Sequence, residues 1–257
     1  MLARNVMTIA RFTLLEALRN RLVWLLLLIV TAGFGLALLA GQVAITEGAQ
    51  IQAALSAAFY RLGAVFLLAG FVVFSQSREF NDKGTELLLA LPLPRAGYFF
   101  GKLLGYGACA LPLALVCSLP LLAFAPFPQI AAWGLSLSLE LIIIATASLF
   151  CVLALPHAIA ALAAVGGFYL LARSITALQL IAAGPLLNQD SLPQRAIIWL
   201  LDTIALLLPR LDGFADTAWL TTGAGGFAAL PNQALQSLLF VALLCAAALF
   251  DLYRKNF

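Results

Sequence analysis

Six long apolar runs, at residues 22–40, 54–76, 98–121, 133–154, 158–183 and 231–250, limit what this chain can fold into. Each is close to the ~20 apolar residues that an α-helix needs to cross a bilayer. In hydrocarbon every backbone N–H and C=O must find a partner within the protein, so only helices and closed barrels span it. These runs are continuous rather than alternating, which selects helices. The hydrophobic content of 64% agrees, since soluble domains sit nearer half apolar. The expected fold is all-α: a polytopic membrane protein with six transmembrane helices, residues 1–257 forming one transmembrane domain.

Lys and Arg favour cytoplasmic loops. Arg4, Arg11, Arg19 and Arg21 precede the first run. Arg78, Lys83, Arg95 and Lys102 lie around the connection between the second and third, and Arg254 and Lys255 follow the last, so ten of the 14 basic residues fall on one side. Arg195 and Arg210 fall on the other. This bias predicts six spans with both termini cytoplasmic. Residues 184–230 then form an outer region. Within it Ile197–Leu208 is apolar apart from Asp202 and Thr203 and is bracketed by Pro193 and Pro209. It is too short to cross easily, which predicts a re-entrant or interfacial helix. Residues 1–21 are expected to form an amphipathic helix on the cytoplasmic surface rather than a cleaved signal, with Arg4, Thr8, Arg11 and Arg19 on the polar face.

The functional groups exclude several chemistries. Cys109, Cys117, Cys151 and Cys245 all lie in apolar runs without CxxC spacing, as packing residues do. His157, the one histidine, sits beside Pro156 in a short turn and makes a poor metal site alone. No metal site and no catalytic residue is expected. A P-loop requires G-x-x-x-x-G-K-[ST], and the Gly101-Lys102 pair is followed by Leu103. The chain is read as a non-enzyme with no nucleotide site or cofactor of its own, and with no nucleic-acid partner.

One stretch breaks the apolar pattern. Residues 78–102, "REFNDKGTELLLALPLPRAGYFFGK", hold Arg78, Glu79, Asp82, Lys83, Glu86, Arg95 and Lys102. A cytoplasmic connection over 78–96 is predicted. In it Asp82 caps a short helix whose first turn carries Glu86 and which Pro92 and Pro94 end. Gly97, Gly101 and Gly105 recur every four residues at the start of the third run, a small-residue face for close helix packing.

At these residues the chain resembles the permease subunits of ABC-2 type exporters. The matching order is Glu79, Gly84-Thr85, Glu86, Leu87–Leu89, Pro92, Arg95, Tyr98 and Gly101-Lys102. The stretch Leu14–Trp24, "LLEALRNRLVW", is similar to the start of the subgroup linked to multicopper-enzyme maturation. The resemblance implies that the short helix is a coupling helix docking on a separate ATPase subunit. Arg78, Glu79, Asp82, Lys83, Gly84, Thr85 and Glu86 would make that contact. It further implies two ATPase copies carrying ATP and Mg, a second permease copy (the same chain or a similar one), and a bacterial cytoplasmic (inner) membrane.

Arg61, Glu140 and Arg173 are ionisable residues within apolar runs. Such groups are costly in a bilayer and are often functional. Arg61 and Glu140 stand at equal depth from the outer side, which permits a salt bridge that Arg173 could join. They either fix helix packing or line a polar path. In the alternative reading, a secondary carrier or channel-like protein working without an ATPase, these three would be the coupling groups.

Overall fold

The computed structural model describes residues 2–43, 47–82, 94–182, 192–223 and 226–254. Among them the chain is helical and has no strand. Its helices are α1 (Leu2–Arg19), α2 (Leu22–Val43), α3 (Gly48–Asn81), α4 (Arg95–Ser118), α5 (Phe127–Ala154), α6 (Ala158–Ala182), α7 (Leu192–Leu207), α8 (Ala218–Thr222) and α9 (Gly226–Arg254). A 3₁₀ turn, Leu119–Ala123, continues α4, and a second, Leu211–Gly213, follows α7. Six helices are long and apolar enough to span a membrane: α2, α3, α4 with its 3₁₀ extension, α5, α6 and α9. The chain is thus a multi-pass membrane protein.

The bundle is built around α5. The most apolar window of α5 is 72% buried, against 17% in α2. Helix α5 packs against α3, α4, α6 and α9, whereas α2 leans on α3. This order follows from side-chain type. The leucine-rich α2 is apolar all round and turns Trp24, Leu28 and Leu39 outward, as a lipid-facing helix does. Helix α5 carries Ser136, Ser138, Glu140, Thr146 and Ser148 among its apolar residues, all buried, and polar groups at membrane depth must find protein partners.

Several boundaries move relative to the sequence expectation. Helix α3 has 34 residues, or about 50 Å at 1.5 Å per residue. That exceeds the ~30 Å hydrocarbon core, so α3 projects from it. Residues 78–81 belong to this helix and not to a loop. Asp82 terminates α3, its backbone N–H reaching the carbonyls of Arg78 and Phe80, so its described role is at the end of a helix rather than the start of one. Lys102, counted by sequence with the connecting residues, lies buried in the second turn of α4. Helix α7, expected on the outer side, begins at Leu192, earlier than expected, and ends at Leu207.

Helix α1 packs along α4. Ala10, Thr13 and Ala17 form its buried stripe, while Met7, Phe12, Leu15 and Leu18 are exposed. The contact depends on Gly101 and Gly105. A Cβ at Gly101 would lie 2.9 Å from Ile9 Cβ, and one at Gly105 would lie 2.6 Å from Thr13 Cβ. The small-residue face at Gly97, Gly101 and Gly105 is therefore buried, and its two later glycines serve packing within the chain. At the same end Arg95 Nη1 donates to the carbonyls of Leu252 and Tyr253, the first at 3.0 Å. Cations suit a helix C-terminus, and this one ties α4 to the end of α9. Helix α1 and the last described turn of α9 consequently share one end of the bundle.

Candidate functional site: two polar clusters at opposite ends of the bundle

At the end shared by the termini, a polar network joins α1, α3 and α4. Lys102 and Glu79 form a salt bridge. The Tyr98 hydroxyl donates to Glu79 Oε1 at 3.2 Å and accepts from Gln76 Nε2 at 2.6 Å. Tyr106 OH stands 3.3 Å from Ser75 Oγ, which donates to Glu16 Oε1 at 2.8 Å. Arg78 closes the edge with a salt bridge to Glu16 at 3.1 Å. The Lys102 and Glu79 side chains are 8% and 18% exposed, whereas Arg78 is 64% exposed. The first pair therefore works in low dielectric and the second is screened by solvent. A cleft of about 440 Å³ opens beside them, lined by residues that include Phe12, Glu16, Glu79, Asp82 and Lys102.

Of the residues expected at an ATPase contact, Arg78, Glu79 and Asp82 fall on the last turns of α3 and its end. Lys83, Gly84, Thr85 and Glu86 lie outside the described residues, as does the expected short helix. Glu79, Tyr98 and Lys102 are brought together from either side of that connection. Glu16, Ser75, Gln76 and Tyr106 complete the network, though sequence reading did not place them in it. Gln76 and Ser75 are polar residues ending an apolar run, a signal that marks burial at a span end without naming the partner.

The second cluster lies at the opposite end, where residues 211–215 turn into the bundle. Leu211, Phe214 and Ala215 are fully buried. Four spanning helices hold the backbone of this turn. From α3, Arg61 Nη1 donates to the Ala215 carbonyl at 2.9 Å. From α5, Trp133 Nε1 donates to the same oxygen at 3.0 Å, and Ser136 Oγ accepts the Ala215 N–H at 2.8 Å. From α6, Arg173 Nη1 donates to the carbonyls of Leu211 and Phe214, the latter at 2.8 Å. From α9, Gln233 Nε2 donates to the Gly213 carbonyl at 2.6 Å, while Gln233 Oε1 accepts from Ser136 Oγ at 2.6 Å.

Beneath the turn sits Glu140, fully buried. Its carboxylate is 3.9 Å from Arg173 Nη1, an ion-pair distance but not a hydrogen bond. Among the described residues neither of its oxygens has a hydrogen-bond partner, nor do Arg61 Nε and the Tyr169 hydroxyl. Sequence depth thus located the three ionisable residues in one region. The ion pair described for Glu140 runs to Arg173, and the hydrogen bond described for Arg61 runs to the 211–215 turn. That partner is a backbone carbonyl 154 residues away in sequence, and carbonyls carry no sequence signature. Trp133, Ser136 and Gln233 went unread for the same reason.

The arrangement binds backbone and balances charge, and it brings no nucleophile beside a base. Among the described residues no three His, Cys, Asp or Glu side chains converge as a metal site would require. Compared with protein-family models the sequence has no match, and compared with curated proteins it has none.

Proposed function

We propose that this chain is the transmembrane permease subunit of an exporter driven by a separate ATP-binding-cassette ATPase. The observation that carries the reading is the ordered resemblance to ABC-2 permeases across residues 78–102. The folding of its flanks supports it. Glu79 and Lys102, two of the matching residues, pair across the base of the connection, with Tyr98 bonded to the same carboxylate. Force applied to residues between them would pass into α3 and α4 together, because the buried pair resists separation of the two helices. Helix α3 then carries the motion into the bundle against α5. In this proposal ATP and Mg belong to two ATPase copies, a second permease chain completes the pathway, and both termini face the cytoplasm of a bacterium.

The test is co-expression with a candidate ATPase neighbour and purification through this chain. Recovery of the ATPase that is lost on Gly84→Asp with Glu86→Arg supports the proposal. Recovery unaffected by that double variant counts against a coupling helix. A carrier working without an ATPase is the second reading, favoured by the buried Glu140–Arg173 pair. It predicts that no ATPase co-purifies and that substrate flux follows an ion gradient.

A further inference from the structure

We infer that the outer turn 211–215 is a reversible latch, held by two arginines that have a competing partner in Glu140. The turn is gripped through its main chain as well as by the burial of Leu211 and Phe214: Arg61, Trp133, Arg173 and Gln233 donate to the carbonyls of Leu211, Gly213, Phe214 and Ala215. The same two arginines face a carboxylate that receives no hydrogen bond. Charge-assisted hydrogen bonds are roughly twice as strong as neutral ones, and a buried charge that is ion-paired but receives no hydrogen bond is expensive. The present arrangement therefore satisfies the turn at the expense of Glu140. Withdrawal of the turn frees Arg173 Nη1 to close the 3.9 Å gap to Glu140, and Arg61 lies near enough to interact with the same charge.

Two features favour release, and the burial of Leu211 and Phe214 and the charge of Asp216 oppose it. Ala215 is held at φ 44°, in the left-handed region, which an L-residue with a Cβ adopts only at a cost. The Glu140 oxygens, which receive no hydrogen bond among the described residues, add to that. Asp216, at the end of the turn, interacts favourably with Arg173 and draws the turn inward. Two discrete partner sets for the same arginines make a bistable element, the physical requirement of a gate. Here the latched state closes the outer end of the bundle over α3, α5, α6 and α9.

The test uses the full-length chain in nanodiscs, with Cys109, Cys117, Cys151 and Cys245 replaced by Ala and a single reporter, Leu211→Cys. A water-soluble maleimide reports how often the turn leaves the bundle, with or without any ATPase, so the outcome is independent of the proposed transport role. Arg61→Ala and Arg173→Ala should each raise the labelling rate about tenfold or more, the scale of losing a hydrogen bond from a charged donor. Glu140→Gln, which weakens the competing partner, should lower it severalfold. A merely structural ion pair predicts the opposite sign for Glu140→Gln, because its loss would loosen the site. A rate that rises or stays unchanged in Glu140→Gln overturns the latch, as do arginine variants that label no faster. A second reporter, Ala110→Cys in the core of α4, must stay unlabelled. Should an arginine variant expose it, that variant has unfolded and Glu140→Gln decides the question.

Discussion

Lys102 shows how one residue changes meaning between sequence and structure. In sequence it is one of the basic residues around a polar connection. In the fold it is 6% exposed, paired with Glu79 and 5.9 Å from the centre of the Tyr106 ring. Removing one member of a buried pair leaves an uncompensated charge and costs about 3–5 kcal/mol. Lys102→Met and Glu79→Gln should each lower thermal stability strongly, and the double variant should be less damaging than the sum of the two. A double-mutant cycle from unfolding in detergent measures this; additive losses would show that the pair does not couple. Gly105 makes a second residue-scale case. A Cβ there would also stand 3.1 Å from the Ala10 carbonyl, and backbone cannot step aside as a side-chain tip can. Gly105→Ala should therefore destabilise the α1–α4 contact by about 1–3 kcal/mol, read as a lower melting temperature and faster tryptic cleavage at Arg11 or Arg19.

At the scale of elements, the spacing of Gly97, Gly101 and Gly105 made a close packing face legible, but not its occupant. Helix α1 fills it because Ala10, Thr13 and Ala17 recur three or four residues apart as small side chains. The sequence expectation set this helix on the membrane surface. Its apolarity was visible, whereas protein and lipid make the same demand on it. The outer helix α7 tests the other extreme. Its Asp202 Oδ1 accepts a bond from Gln179 Nε2 of α6 at 2.8 Å, in an exposed setting. Water replaces such a bond readily, so Asp202→Ala should change stability by no more than about 0.5 kcal/mol. A larger loss would mean that α7 is anchored to α6 through this one contact.

Over the whole molecule, six spans with α1 and the end of α9 at the same end require Arg195 and Arg210 to lie opposite Arg4 and Arg254. Single cysteines at those four positions, treated with an impermeant thiol reagent in sealed right-side-out vesicles, should label at 195 and 210 and stay protected at 4 and 254. Labelling at 4 and 254 instead would invert the orientation, and labelling of one terminus alone would break the six-span count. The two polar clusters then divide the molecule's work. One joins α1, α3 and α4 at the end where a partner's motion is proposed to enter, and the other holds the 211–215 turn at the opposite end. Helix α5 packs against both α3 and α4 and also carries Trp133, Ser136 and Glu140 beneath the turn.

Sequence alone determined the helical class and the six apolar helices long enough to span a membrane, because hydrocarbon punishes unpaired backbone and the length of an apolar run directly measures a crossing. It also located Arg61, Glu140 and Arg173 in one layer, since depth follows from counting residues along a helix. Only the tertiary structure decided who holds whom. Arg61 and Arg173 bond to backbone carbonyls of the 211–215 turn, Lys102 turns inward to Glu79, and α1 lies on two glycines of α4. Each of these depends on the rotation of one helix against another and on main-chain oxygens that every residue carries, and neither is written in the order of side chains along the chain.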